Sequence, residues 1–229
     1  PGGFIRVQDA QSIDIQASVL SSSTFNRING GDAGEIDIET QQLRIRDGGE
    51  IIATTTGAGD GGNLVINASE SIILQGRSAL GSLFASGLFA DSQGEATGNG
   101  GDLQLKTPLL MIRDEAGLSA SSEVSLPPIE TLFPSLQAQS SQIDSRQRAF
   151  VTRQGEAVAQ NAPRSIAGTI KVETGFVLLD QGNITATSNQ GEGGNIALDI
   201  EDGLLMTRHS SISTRAGTEI GGGGNGVNI

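Results

Sequence analysis

A short phrase, glycine followed by two aliphatic residues one position apart, recurs along the chain. It reads Gly3-Phe4-Ile5-Arg6-Val7, Gly34-Glu35-Ile36-Asp37-Ile38, Gly62-Asn63-Leu64-Val65-Ile66, Gly101-Asp102-Leu103-Gln104-Leu105, Gly168-Thr169-Ile170-Lys171-Val172 and Gly194-Asn195-Ile196-Ala197-Leu198. A seventh copy, Asn225-Gly226-Val227-Asn228-Ile229, ends the sequence. Starts at 3, 34, 62, 101, 168, 194 and 225 are separated by 31, 28, 39, 67, 26 and 31 residues. The unit is therefore close to thirty residues, and two units carry insertions.

Each unit holds a second apolar pair: Ile13/Ile15, Leu43/Ile45, Ile72/Leu74, Leu110/Ile112, Val177/Leu179 and Leu204/Met206. A third pair joins an aliphatic to a smaller residue: Leu20/Ser22, Ile51/Ala53, Leu80/Ser82, Leu118/Ala120, Ile184/Ala186 and Ile212/Thr214. The period of two predicts strands, and Asp47-Gly48-Gly49, Gln75-Gly76, Asp60-Gly61-Gly62 and Gln181-Gly182 predict turns between them. Three short strands per unit, with corners between, describe one coil of a solenoid whose equivalent strands pair in register. The expected fold is all-β, a right-handed parallel β-helix over residues 1–229 as one segment, with about six coils, three short strands per coil and two loop insertions. Its first-strand core columns are Ile5, Ile36, Leu64, Leu103, Ile170, Ile196, Val227 and Val7, Ile38, Ile66, Leu105, Val172, Leu198, Ile229, all aliphatic. An antiparallel sandwich would alternate as well, but would not repeat one class at one phase in every unit. The last copy stops inside a first strand, which leads us to expect further coils or a cap beyond it.

Composition narrows the chemistry. The chain has 33 Gly, 3% aromatic residues, 17% charged residues and neither Trp, Tyr nor Cys, which fits many turns and a slim aliphatic core. Without Cys, thiolate metal sites and cysteine nucleophiles are excluded. A net charge of -12 argues against nucleic acid as a partner, because that binding relies on Lys and Arg. No run approaches the length of a membrane span.

Acids are scattered over the outward columns, one of which runs Gln8, Glu39, Asn67, Lys106, Glu173, Asp199. Glu35, Asp37 and Glu39 line one strand, but Asn63, Val65 and Asn67 beside them supply no second acid, so no catalytic pair is assigned. Arg6 beside Asp37 and Lys106 beside Glu173 are expected cross-strand ion pairs. Asp199, Glu201 and Asp202 are the densest acid group and Asp114-Glu115 the next; calcium nonapeptides are absent, and no metal or cofactor is expected. His209, the only histidine, is expected at a solvated corner, since one His makes no zinc site.

The insertions, about 81–99 and 122–166, are where specificity would sit. The larger holds four of the six prolines and an apolar stripe, Ile129, Leu132, Phe133 and Leu136, that predicts a short helix near 129–137. Phe84, Phe89, Phe133 and Phe150 are candidate anchors for a partner.

The phrases Gly-Gly-Asp-Ala-Gly-Glu-Ile-Asp-Ile-Glu-Thr (30–40), Gly-Asp-Gly-Gly-Asn-Leu-Val-Ile-Asn-Ala (59–68) and Gly-Glu-Gly-Gly-Asn-Ile-Ala-Leu-Asp-Ile (191–200) resemble the repeat region of filamentous-haemagglutinin-like exoproteins. The resemblance implies a non-catalytic shaft segment of a secreted or surface-held adhesin, associated with the outer membrane of a Gram-negative bacterium. It further implies export through an outer-membrane two-partner-secretion transporter, stacking on neighbouring coils of a longer chain, and a surface or host ligand. The Asn-Pro-Asn motifs of that family's export domain are missing, which points to internal shaft. Rival readings are a polysaccharide-active enzyme of the pectate-lyase-like class and a pure self-assembly module.

Overall fold

The computed structural model describes residues 2–25, 30–78, 85–94, 98–124, 165–189 and 191–217, and among them there is no helix. Six long strands, β1 (Phe4–Gln16), β3 (Glu35–Arg46), β5 (Leu64–Gln75), β8 (Leu103–Arg113), β11 (Thr169–Asp180) and β13 (Asn195–Thr207), form one sheet in that order. Six short ones, β2 (Val19–Ser21), β4 (Glu50–Ile52), β6 (Gly87–Phe89), β9 (Gly117–Ser119), β12 (Asn183–Thr187) and β14 (Ser211–Arg215), form a second. All of these pairings are parallel. Because each sheet skips the strands of the other, the chain visits long strand and short strand in turn as it advances, a solenoid-like path. A third row is thinner: β7 (Ser92–Gly94) pairs with β10 (Ser122–Val124), and single parallel bridges join Thr24 to Thr55, Thr55 to Ser92 and Ser122 to Ser188.

The expected core columns pair residue for residue over the described strands. Ile5 faces Ile36, Ile36 faces Leu64, Leu64 faces Leu103, Leu103 faces Ile170 and Ile170 faces Ile196. The interior four are completely buried, each worth roughly 1.5–3 kcal/mol in area removed from water.

Two expectations need correction. The first and second apolar pairs lie on one strand of 11 to 13 residues, not on two short ones. Most of the pairings shift register once between the pairs, as between Val7 and Ala10 or Thr174 and Phe176. A bulge absorbs a residue without ending the ladder, and buried Thr40, Thr107 and Thr174 at this bend donate their hydroxyls to the carbonyls of Gln42, Leu109 and Phe176 two residues on.

The third-strand position after Ile51 is taken by Leu88, where Leu80 was expected. The reason lies in how each turn closes. The small residue of the third pair offers its carbonyl to the N–H of the phrase glycine: Ser22 to Gly34, Ala53 to Gly62, Ala120 to Gly168 and Ala186 to Gly194, at 2.7–3.0 Å. Ala90 does the same for Gly101 at 2.7 Å, which places Leu88 in the core column two residues earlier. These residues are small because the glycine lies against them: a β-carbon on Gly62 or Gly194 would come 2.9 Å from the Ala53 or Ala186 methyl.

The corner after each long strand is made by a left-handed residue in every repeat: Ala17, Asp47, Gly76, Asp114, Gln181 and Arg208, with φ between 45° and 78°. Only one of the six is glycine. The strain, about 1 kcal/mol for the others, is offset by the ladder that continues through the corner, with Ala17 N–H on Arg46, Asp47 on Gln75, Gly76 on Arg113 and Asp114 on Asp180.

A candidate binding groove on the long sheet

Alternation sends every second side chain of the long strands outward. Before the bulge this makes one column of Glu39, Asn67, Lys106, Glu173 and Asp199, each the register partner of the next. At the bulge itself stand Ser69, Pro108, Gly175, Glu201 and Asp202. Between these walls lies a groove of about 700 Å³ floored by Thr40, Ala68, Thr107 and Thr174. It crosses the strands and so touches five repeats at once. A β-carbon on Gly175 would come 2.8 Å from the Pro108 carbonyl oxygen and 3.0 Å from an Asp202 carboxylate oxygen, so the neighbouring backbone asks for glycine there.

Charge in the groove is mostly negative. Lys171 Nζ bonds Glu173 at 2.7 Å and Lys106 Nζ approaches it to 3.4 Å. The hydrogen bond from Lys171, and then that from Lys106, hold the Glu173 carboxyl below its ordinary range, so it is a fixed anion with its charge answered. Glu39, Asp199, Glu201 and Asp202 form no ion pair among the described residues. No group of three or more His, Asp or Glu is placed to hold a metal among the described residues.

Next to the groove the outer face turns apolar. Leu109 and Met111 of β8 face Phe176 and Leu178 of β11, and Leu205 of β13 and Ile73 of β5 extend the shelf to either side. Sequence pairing of the core positions missed these residues. Their signal was present: Leu109–Ile112, Phe176–Leu179 and Leu204–Met206 are unbroken apolar runs, the mark of strands apolar on both faces.

Past the shelf, the corner side chains are tied to one another. Arg46 Nε bonds Asp14 at 3.1 Å, Gln16 Nε2 bonds Asp47 at 2.8 Å, and Arg113 Nη2 bonds Gln75 Oε1 at 2.6 Å. Arg208 pairs with Asp180 and reaches Asp114 at 3.2 Å. Asp180 is held down at about 2 by hydrogen bonds from Arg208 and Thr207.

The predicted acids thus separate. Asp114 and Glu115 are committed to Arg208 and Arg77, whereas Asp199, Glu201 and Asp202 enter the groove. The expected pairs form, Arg6 to Asp37 at 3.1 Å and Lys106 to Glu173 at 3.4 Å. His209 stands in the corner after β13 with φ 64°. Phe89 projects outward from the short sheet between Ile52 and Ser119, its ring over Gly87, and is not part of the groove. Phe84, Phe133, Phe150 and the helix expected near 129–137 lie outside the described residues, as does most of the larger insertion.

Among the described residues no helix is long and apolar enough to cross a membrane. Comparison with protein-family models, curated proteins and solved structures finds no match to this chain.

Proposed function

We propose that the chain is a right-handed parallel β-helix of six coils, and that it serves as a non-catalytic shaft segment of a filamentous-haemagglutinin-like surface adhesin. On this reading it is exported through an outer-membrane two-partner-secretion transporter and stacks against further coils of a longer chain. The observation that carries the reading is the continuity of the phrase-glycine column through Gly34, Gly62, Gly101, Gly168 and Gly194, each packed on the carbonyl of the glycine before it. That regularity serves stiffness and asks for no chemistry. Carboxylates that are strongly lowered or ion-paired, such as Asp180 and Glu173, suit a solvated ladder better than proton transfer, which needs a group poised near the working pH.

The test is to incubate the purified chain with a panel of soluble surface polysaccharides, with and without Ca²⁺, and to follow polymer size and retention together. Unchanged size, with the strand amides of both sheets protected from hydrogen exchange as one block, is the expected result. Shortened polymer would replace the shaft by an enzyme of the pectate-lyase-like class.

A further inference from the structure

The groove and the shelf share an edge. Pro108 lines the groove and Leu109 begins the shelf; Gly175 and Phe176 repeat the junction, and Asp202 is followed at Leu205. The shelf runs at one level of the sheet through Ile73, Met111, Leu178 and Leu205, all on the face opposite the core columns. An apolar strip of this kind beside a charged trough is uncommon on a surface with no partner.

The charge identifies the partner. Glu39, Glu201 and Asp202 form no ion pair among the described residues, Asp199 feels Lys171 only through space, and Lys106 is the one basic residue lining a groove that five acids line, on a chain whose net charge is already -12. An acidic polymer is repelled here, and a neutral sugar finds no Trp or Tyr platform. From Glu39 to Asp199 the wall crosses four interstrand steps, about 19 Å at ~4.8 Å each, the reach of roughly six extended residues. A peptide lying along the groove presents alternate side chains to its two sides.

We propose that this face of the long sheet docks an extended Lys/Arg-rich segment of another protein, with basic residues against Asp199, Glu201 and Asp202 and the alternate apolar residues on Phe176, Leu178 and Leu205. The proposal rests on the shaft reading, because it takes this sheet as the presenting face. Hydrogen exchange reads the shaft independently, so a failure of docking leaves the shaft reading standing.

The experiment measures fluorescence anisotropy of a short labelled peptide alternating lysine and leucine, titrated with the whole chain at physiological salt. Two further peptides replace leucine by serine or lysine by glutamate. The combined variant Asp199→Asn/Glu201→Gln/Asp202→Asn is expected to weaken binding about tenfold, since partly desolvated charge pairs are being removed. Glu35→Gln/Glu115→Gln/Glu192→Gln makes the same change in net charge away from the groove and should weaken it less than about twofold. Leu178→Ser should weaken binding of the leucine peptide and leave the serine peptide unaffected. Equal losses in the two charge variants, equal binding of the leucine and serine peptides, or no binding to the unaltered chain would each overturn the proposal. Every substituted side chain points outward, and circular dichroism checks that the fold is kept.

Discussion

The carbonyl oxygen of Gly34 occupies the place that a β-carbon on Gly62 would need. Nothing flexible is available to yield, since the oxygen is backbone of one repeat and a β-carbon is held rigidly by the backbone of the next. Gly62→Ala should therefore cost about 2–4 kcal/mol, at the upper end of overpacking. Gly3→Ala meets nothing within 4 Å and should change stability by less than about 0.5 kcal/mol. Urea unfolding of the two variants compares them directly.

Leu103 is fully buried between Leu64 and Ile170. Its truncation in Leu103→Ala leaves a void that strands fixed on both sides cannot collapse, at a cost of about 2–5 kcal/mol. Because the column is shared, the loss should appear as faster amide exchange in β5 and β11 as well as in β8.

Asp180 gives stability a definite dependence on acid. Hydrogen bonds from Arg208 and Thr207 lower its folded value to about 2, against an ordinary 3.8. The stabilisation is complete above about pH 4 and is lost as pH falls through about 2, because the unfolded chain takes up the proton first. Asp180→Asn should be less stable than the unaltered chain at pH 7 and approach it between pH 4 and 2. The network is exposed, so molar salt should shrink the difference at pH 7. Thermal melts at several pH values test both statements.

Glu50 works in the opposite sense. Burial beside the short-sheet strands raises its carboxyl above the ordinary 4.5, so the folded state holds the proton more tightly than the unfolded one. Its contribution is most favourable below pH 4.5 and is lost as pH rises through the folded value. Glu50→Gln should raise Tm at pH 7 and leave it unchanged near pH 3.

How far the sequence disclosed this structure depends on whether a feature lies within one repeat or between several. Ile36, Leu64 and Leu103 were legible as one column because the same class returns at the same phase after the same glycine. Leu88 was not, since Leu83-Phe84-Ala85 and Leu88-Phe89-Ala90 both fit the third-strand pattern; the decision falls to a hydrogen bond from Gly101 to Ala90. The fusion of two expected strands into one escaped notice because an inserted bulge residue looks, in sequence, like the break between strands. Corners at Asp47-Gly48 and Gln75-Gly76 were announced by turn residues, but Ala17 and Arg208 adopt the same left-handed geometry only because their neighbours in the stack do. The groove was hardest. Its acids are visible in the sequence, yet Glu39 and Asp199 are far apart along the chain and become one wall only through four successive registers, while the adjoining shelf occupies the strand parity opposite the core columns.

Several of the side-chain bonds between repeats run in one direction. Asp32 accepts from the N–H of Asp60, Asp60 from that of Asn99, and Asn99 from that of Ile166. Asn63 accepts from Asp102 and Asp102 from Thr169, and Ser23 and Asp91 serve Thr54 and Ser121 in the same way. In each case the acceptor belongs to the earlier repeat and the donor is plain backbone in the later one. Along this seam a later repeat is received through its backbone N–H groups, and it brings the acceptor that its successor uses. Such a seam is extended by any further unit that brings the same acceptor together with the phrase glycine and the small residue lying against it.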